Sequence, residues 1–224
     1  MNIYFLLGIP VIGELSPETK KERHIACEIC GRSSKTVFSD IEYIFDQWNG
    51  QDIFSGLAEY FISERLKTLL EHNNCNGYEL QPVKASFSRK TTKANYFGKN
   101  AYQNELPNFY HLKVTASAEG DIDSWYEVFS VNEKCGHKKE LLTLEGMRSM
   151  SNPELIGEDK ENPLPRNVYK DSWKGDAMFL LQDGLDIPIV TQTFVDCLSV
   201  LNININKREG VWVRPVSWIE LGAK

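Results

Sequence analysis

Cys27-Glu28-Ile29-Cys30-Gly31 sets two thiols three positions apart and follows them with glycine, which is the half-site of a zinc knuckle. Two intervening residues let both sulfurs face one ion, and the glycine permits the tight turn around it. Asn132-Glu133-Lys134-Cys135-Gly136-His137 repeats the form, with asparagine in place of the first cysteine. A structural zinc site needs four ligands. Cys27, Cys30, Cys135 and His137 make a candidate set for structural zinc, and His24 or His111 could stand in for His137. The competing reading is a decayed site with free thiols, because one cysteine of the doubled pattern is missing. A thioredoxin-like redox role lacks the βαβ context it needs around Cys27 and Cys30. Cys75 reads as a loop thiol, and Cys197 as a core residue on a helix stripe.

No other constellation promises chemistry. The chain has no nucleophile elbow, phosphate loop, dinucleotide fingerprint or His-Glu-x-x-His. Glu14, Glu18 and Glu22 stand at helical spacing, a pattern that usually marks a solvated face. The four histidines follow no triad order. No catalytic residue is therefore assigned, and the chain is expected not to be an enzyme. A net charge of −6 over 224 residues argues against a general nucleic-acid role, which calls for a basic surplus. Residues 1–13 are apolar but lack the basic flank and cleavage site of a secretory signal, and no stretch is long enough to span a bilayer. An odd count of five cysteines, with one close pair, points to metal or redox chemistry in a cytoplasmic protein rather than to a disulfide framework.

The elements that must position the cysteines repeat. Asp46, Trp48 and Gly50 recur as Asp171, Trp173 and Gly175, and Phe61, Ile62, Ser63 and Glu64 as Ile189, Val190, Thr191 and Gln192. Leu66, Leu69 and Leu70 recur as Phe194, Cys197 and Leu198, and Gly77, Gln81, Pro82 and Val83 as Gly210, Arg214, Pro215 and Val216. Each copy, 46–83 and 171–216, reads as a Trp-x-Gly turn and an apolar segment (53–61, 177–190). A helix capped by Ser63 or Thr191 follows, then a strand (78–83, 211–216). The helix spacings of four, three and one build one buried stripe. Asn76-Gly77 is read as the end of the first helix. The proline in each strand favours an edge or a strand end. Residues 111–117 and 125–131 read as a hairpin around a polar turn at 118–124. Residues 151–171 read as a surface connection. The basic run at 86–105, with Arg89, Lys90, Lys93 and Lys99, reads as a solvated loop. Of the five tryptophans, Trp48 and Trp173 are read as core, and Trp125, Trp212 and Trp218 as packed strand residues.

The two Cys-Gly motifs resemble those of the double-CXXCG proteins. So does Phe61-Ile-Ser-Glu-Arg-Leu-Lys-Thr-Leu-Leu70, followed by Gly77-Tyr-Glu-Leu-Gln-Pro-Val83. That family belongs with the immunity proteins of bacterial polymorphic-toxin systems. The sequence departs from the family pattern at Asn132, where the family has cysteine. The resemblance implies a protein that binds a cognate toxin one-to-one and neutralises it; it does not indicate the toxin-binding residues. An acidic immunity protein would suit a basic nuclease toxin, because charge complementarity speeds association. The alternatives are a zinc-ribbon adaptor that binds nucleic acid or another protein, and an enzyme with a dispersed site. The expected fold is α+β, two related helix–strand units with mixed, mainly antiparallel sheets. The expected organisation is an N-terminal unit at 1–110 and a C-terminal unit at 111–224, with a single compact domain as the alternative.

Overall fold

β-branched and aromatic residues come in short runs along this chain, and they pair as strands far more often than they coil. The computed structural model describes residues 1–46, 48–56, 59–88, 106–121, 126–143, 167–182, 187–206 and 210–220. The basic positions Arg89, Lys90, Lys93 and Lys99, Trp125, and residues 151–166 of the connection lie outside the described residues.

The first half contains β1 (Ile3–Leu7), β2 (Gly13–Leu15), β3 (Lys20–Cys27), β4 (Arg32–Ser39), β5 (Glu42–Phe45), β6 (Ile53–Gly56), β7 (Glu59–Ser63), α1 (Glu64–His72) and β8 (Tyr78–Phe87). The second contains β9 (Phe109–Val114), β10 (Ser117–Ala118), β11 (Gly120–Asp121), β12 (Tyr126–Val131), β13 (Lys138–Leu142), β14 (Asn167–Tyr169), β15 (Met178–Leu181), β16 (Ile189–Thr191), α2 (Gln192–Val200) and β17 (Trp212–Ile219). The α+β expectation is corrected by this inventory: the protein is β-rich, and the described residues hold one nine-residue helix in each half. The apolar segments 53–61 and 177–190 are each a pair of antiparallel strands, and the polar stretches around the cysteines are two more hairpins. A second correction concerns 111–117 and 125–131. β9 pairs with β7 and β8, whereas β12 pairs with β13.

The strands form two large sheets with one plan. The order β2-β5-β8-β9-β7-β6 in one matches β11-β14-β17-β1-β16-β15 in the other. β5/β8 and β14/β17 are parallel, and every other neighbour in both series is antiparallel. Each sheet also curls toward closure: Val11, just before β2, bridges Ser55 of β6, and β10, just before β11, runs parallel to β15. Both are barrel-like. The first strand of each half is exchanged, so that β9 completes the sheet of the first half and β1 that of the second. The division at 110/111 falls inside β9.

Local detail repeats with the topology. Trp48 Nε1 donates to Gln51 O at 3.1 Å, and Trp173 Nε1 to Asp176 O at 2.9 Å. Gly50 and Gly175 take φ of +84° and +93°, which side chains rarely tolerate. Ser63 N donates to Asp52 O and Thr191 N to Ala177 O; Glu64 N donates to Asn108 O and Gln192 N to Asn2 O. Tyr110 and Tyr4 donate their hydroxyls to Glu64 and Gln192, the first residue of each helix. The caps differ. Ser63 Oγ accepts from Leu66 N at 3.3 Å, but Thr191 makes no side-chain cap bond. α1 ends at His72, and Asn74, at φ +54°, turns the chain away before Gly77 is reached. Pro82 and Pro215 sit inside central strands, where they face β9 and β1. The second neighbour begins only at Lys84 and Ser217, so each missing N–H falls where the strand has one partner.

Three cores result. One fills the first barrel with Tyr43, Phe45, Phe54, Phe61 and Phe109. One fills the second with Ile3, Phe5, Val168, Phe179 and Ile189. The third lies between the halves, where Leu66 and Leu70 of α1 meet Phe194, Cys197 and Leu198 of α2. Cys75 is buried in this shared core beside Cys197 rather than exposed in a loop, and burial pushes its thiol up to about 12.

Candidate metal centre

Two hairpins outside the large sheets carry the cysteines. β3 and β4 are joined by the Cys27–Cys30 turn, and β12 and β13 by the Asn132–Cys135 turn. Both are built alike. Gly31 N donates to Cys27 O, and Gly136 N to Asn132 O, each at 2.8 Å. Gly31 and Gly136 take φ of +68° and +70° with open space around them, so it is the backbone conformation that calls for glycine there.

The turns meet. The ligand atoms of Cys27, Cys30, Cys135 and His137 all lie within 4.8 Å of one another, and Cys30 Sγ is 3.1 Å from His137 Nδ1. Around a tetrahedral zinc, donor atoms stand roughly 3.5–3.8 Å apart, as follows from Zn–S of about 2.3 Å and Zn–N of about 2.0–2.1 Å. Shifts of about an ångström would bring these four atoms to that geometry. Three sulfurs and an imidazole also match the chemistry of a closed structural site. The four residues could hold a metal ion.

Asn132, the apparent defect in the motif, has a defined task. Its Oδ1 accepts from Lys134 N at 3.0 Å and Cys135 N at 3.3 Å. At the matching place, the N–H of Cys30 and then that of Ile29 donate to the Cys27 thiolate and hold its pKa below the ordinary thiol value. Asparagine thus keeps the turn's hydrogen bonds while giving up the ligand. His137, at the position of Arg32 in the first hairpin, offers the fourth candidate ligand atom instead. The sequence signalled the ligand set through CxxCG and xxxCGH, but nothing in it signalled the acceptor role of Asn132.

The proposed substitutes for His137 lie elsewhere. His111 is buried in β9 with Nε2 2.5 Å from Glu59 Oε2, and His24 is exposed along β3; neither belongs to the cluster. A cavity of about 550 Å³ opens between residues 49–53 and 201–204. Among the described residues its lining includes one carboxylate, Asp52, and no histidine. Asp52 accepts from Ser63 Oγ at 2.5 Å and Arg65 Nε at 3.0 Å, which fixes the start of α1. This network escaped the sequence reading. Among the described residues no helix is long and apolar enough to cross a membrane. Compared with known proteins, the sequence matches no family model and no curated protein.

Proposed function

We propose that this protein is a non-enzymatic immunity protein that binds one copy of a cognate bacterial toxin in the cytoplasm, with a structural zinc ion held by Cys27, Cys30, Cys135 and His137. The observation that carries the reading is the closure of the metal cluster. Four protein donors converge on one point from two hairpins, which fills a tetrahedral ion and leaves no position for water or substrate. Such an ion braces a surface and does not activate a nucleophile. The toxin as partner rests on the motif resemblance; at the cavity the Asp52 carboxylate is already paired with the Arg65 guanidinium.

The test is co-expression with the toxin encoded beside this chain. Rescue of growth, with a one-to-one complex on size-exclusion chromatography, is expected. Growth arrest despite soluble protein, combined with turnover of a small molecule, would replace this reading with the enzyme alternative.

A further inference from the structure

The duplicated plan contains one junction twice, shut in one place and open in the other. Where the loop after α1 meets the second Trp-x-Gly turn, Asn76 shuts it. Ala177 N donates to Asn76 Oδ1 at 2.9 Å, Met178 N donates to Asn76 O at 3.1 Å, and Asn76 Nδ2 donates to Asp176 Oδ1 at 3.2 Å. The counterpart is the loop after α2 against the first Trp-x-Gly turn. Strand register puts Gln51, Asp52 and Ile53 at the places of Asp176, Ala177 and Met178. Helix register puts Asn204 at the place of Asn76: Asn74 and Asn202 take φ of +54° and +56°, and Cys75 N and Ile203 N donate alike to Leu70 O and Leu198 O. Among the described residues, none of the three Asn76 bonds has an equivalent at Asn204.

Five residues make the difference. Gly77 follows Asn76 directly, whereas residues 205–209 separate Asn204 from Gly210. The longer loop turns on itself, and Val211 N donates to Asn204 O at 2.8 Å. Gly77 lies so close to Met178 O that a Cβ would come within 1.9 Å of it; Gly210 lies instead against Asn204 O, at 1.7 Å. The cavity of about 550 Å³ stands where the counterpart holds a filled contact. Ser63 N donates to Asp52 O, so Ile53 and Ile62 oppose each other without exchanging ladder bonds, and Ile53 N faces away from β7 on the cavity side. Beside it Arg65 is bound to Asp52, yet its side chain is 64 % exposed. This wall is rich in N–H donors and calls for acceptors. The opposite charges of Arg65 and Asp52 offset each other, which favours a neutral acceptor over an anion.

We infer that the open junction is a binding site for a polypeptide segment that presents what Asn76 presents: a main-chain carbonyl for Ile53 N and a side-chain carboxamide for Asp52 N and Gln51. The site stands without the toxin. Its natural occupant, an asparagine-bearing loop of the toxin, rests on the toxin-neutralising reading.

The experiment is amide NMR of the full zinc-loaded chain, titrated with N-acetyl-Gly-Asn-Gly-amide, with its aspartate analogue, and then with the neighbouring toxin. The asparagine peptide should shift the Asp52 and Ile53 amides at millimolar concentration and leave Ala177 and Met178, whose acceptors are in place, unmoved. Asn204→Trp, at an exposed position on the cavity lining, should weaken this response about tenfold or more. Asn49→Trp, also exposed on that lining, carries the test if Asn204→Trp loses its fold. In the toxin complex the Ile53 amide should exchange with deuterium about tenfold more slowly. No shift at Ile53 with either peptide overturns the site and leaves the toxin-binding role intact. A stronger response to the aspartate peptide overturns the neutral occupant in favour of a carboxylate at Arg65. A toxin complex in which Ile53 exchange is unchanged overturns the toxin loop as occupant. Peptide binding without toxin binding overturns the toxin-neutralising role and keeps the site.

Discussion

The two barrels share a plan but fill it differently. Tyr43, Phe61 and Phe109 in the first stand where Val168, Ile189 and Ile3 stand in the second, and Phe54 and Phe179 are retained. All are buried. The ring of Tyr43 takes up space that Gly13 and Gly56 leave open: a Cβ at either would come within 2.8 or 2.9 Å of it. In the second barrel Leu181 occupies the place of Gly56, and Trp173 and Trp218, 5.2 Å apart, close the core from outside. Strand order survives such exchanges because it depends on which positions point inward and on total volume more than on the identity of any side chain. The knuckles teach the same lesson in polar chemistry. The first turn keeps a cysteine, while the second keeps only the acceptor, and its candidate ligand stands five residues on, at His137.

That contrast is most exposed to test at the metal. Cys135→Ser should take zinc content from one per chain to none, and His137→Ala should weaken retention sharply. Adding Asn132→Cys to His137→Ala should restore binding as a four-cysteine site, since Asn132 occupies the place of Cys27. Elemental analysis of chelator-free preparations reads both outcomes. Failure of the rescue would show that the two turns are not equivalent around the ion.

Next in size come the facing helices. Leu70 and Leu198 hold equivalent positions and are fully buried in the shared core. Leu70→Ala and Leu198→Ala should each cost about 2–5 kcal/mol in urea unfolding. A loss below about 1 kcal/mol at either would remove that residue from the core.

The caps should separate the halves. Ser63 bonds Leu66 N and also Asp52, whereas Thr191 makes no cap bond. Ser63→Ala should cost about 1–2 kcal/mol and Thr191→Ala about 0.5 kcal/mol or less. Equal losses would erase the distinction.

The smallest effect concerns acid. The Tyr110 hydroxyl, then Lys67, hold Glu64 below its ordinary value of 4.5, whereas Gln192 at the matching place cannot titrate. A depressed carboxylate adds stability that is fully present above its unfolded pKa and fades as pH falls through the folded one. Glu64→Gln should therefore flatten the stability profile below pH 4.5 and leave Gln192→Ala variants with the wild-type slope there. Urea midpoints measured from pH 6 to pH 3 decide it.

Sequence and structure agree most where spacing carries the constraint. The helix stripes, the Trp-x-Gly turns and the cysteine turns were legible because each fixes several residues at set intervals. The β-rich character was not, because strands of two to five residues hold too few alternations to stand out, and because β3, largely charged and exposed, has no buried face to set an alternation. The exchange of β1 and β9 was hidden for another reason. Their common residues reduce to Tyr4 with Tyr110, Leu6 with Leu112 and, just before the strands, Asn2 with Asn108, and what they share is a register with β16 and β7, which no local pattern records. Cys75 was misplaced because a polar loop surrounds it in sequence, while α2 covers it in space.

X-ray absorption at the zinc edge tests the clasp between the halves most directly. Three sulfurs near 2.3 Å and one nitrogen near 2.0–2.1 Å are expected, with one sulfur lost in Cys30→Ser and another in Cys135→Ser. A zinc bound by two sulfurs and unaffected by Cys135→Ser, or protein that takes up no stoichiometric metal, would contradict it.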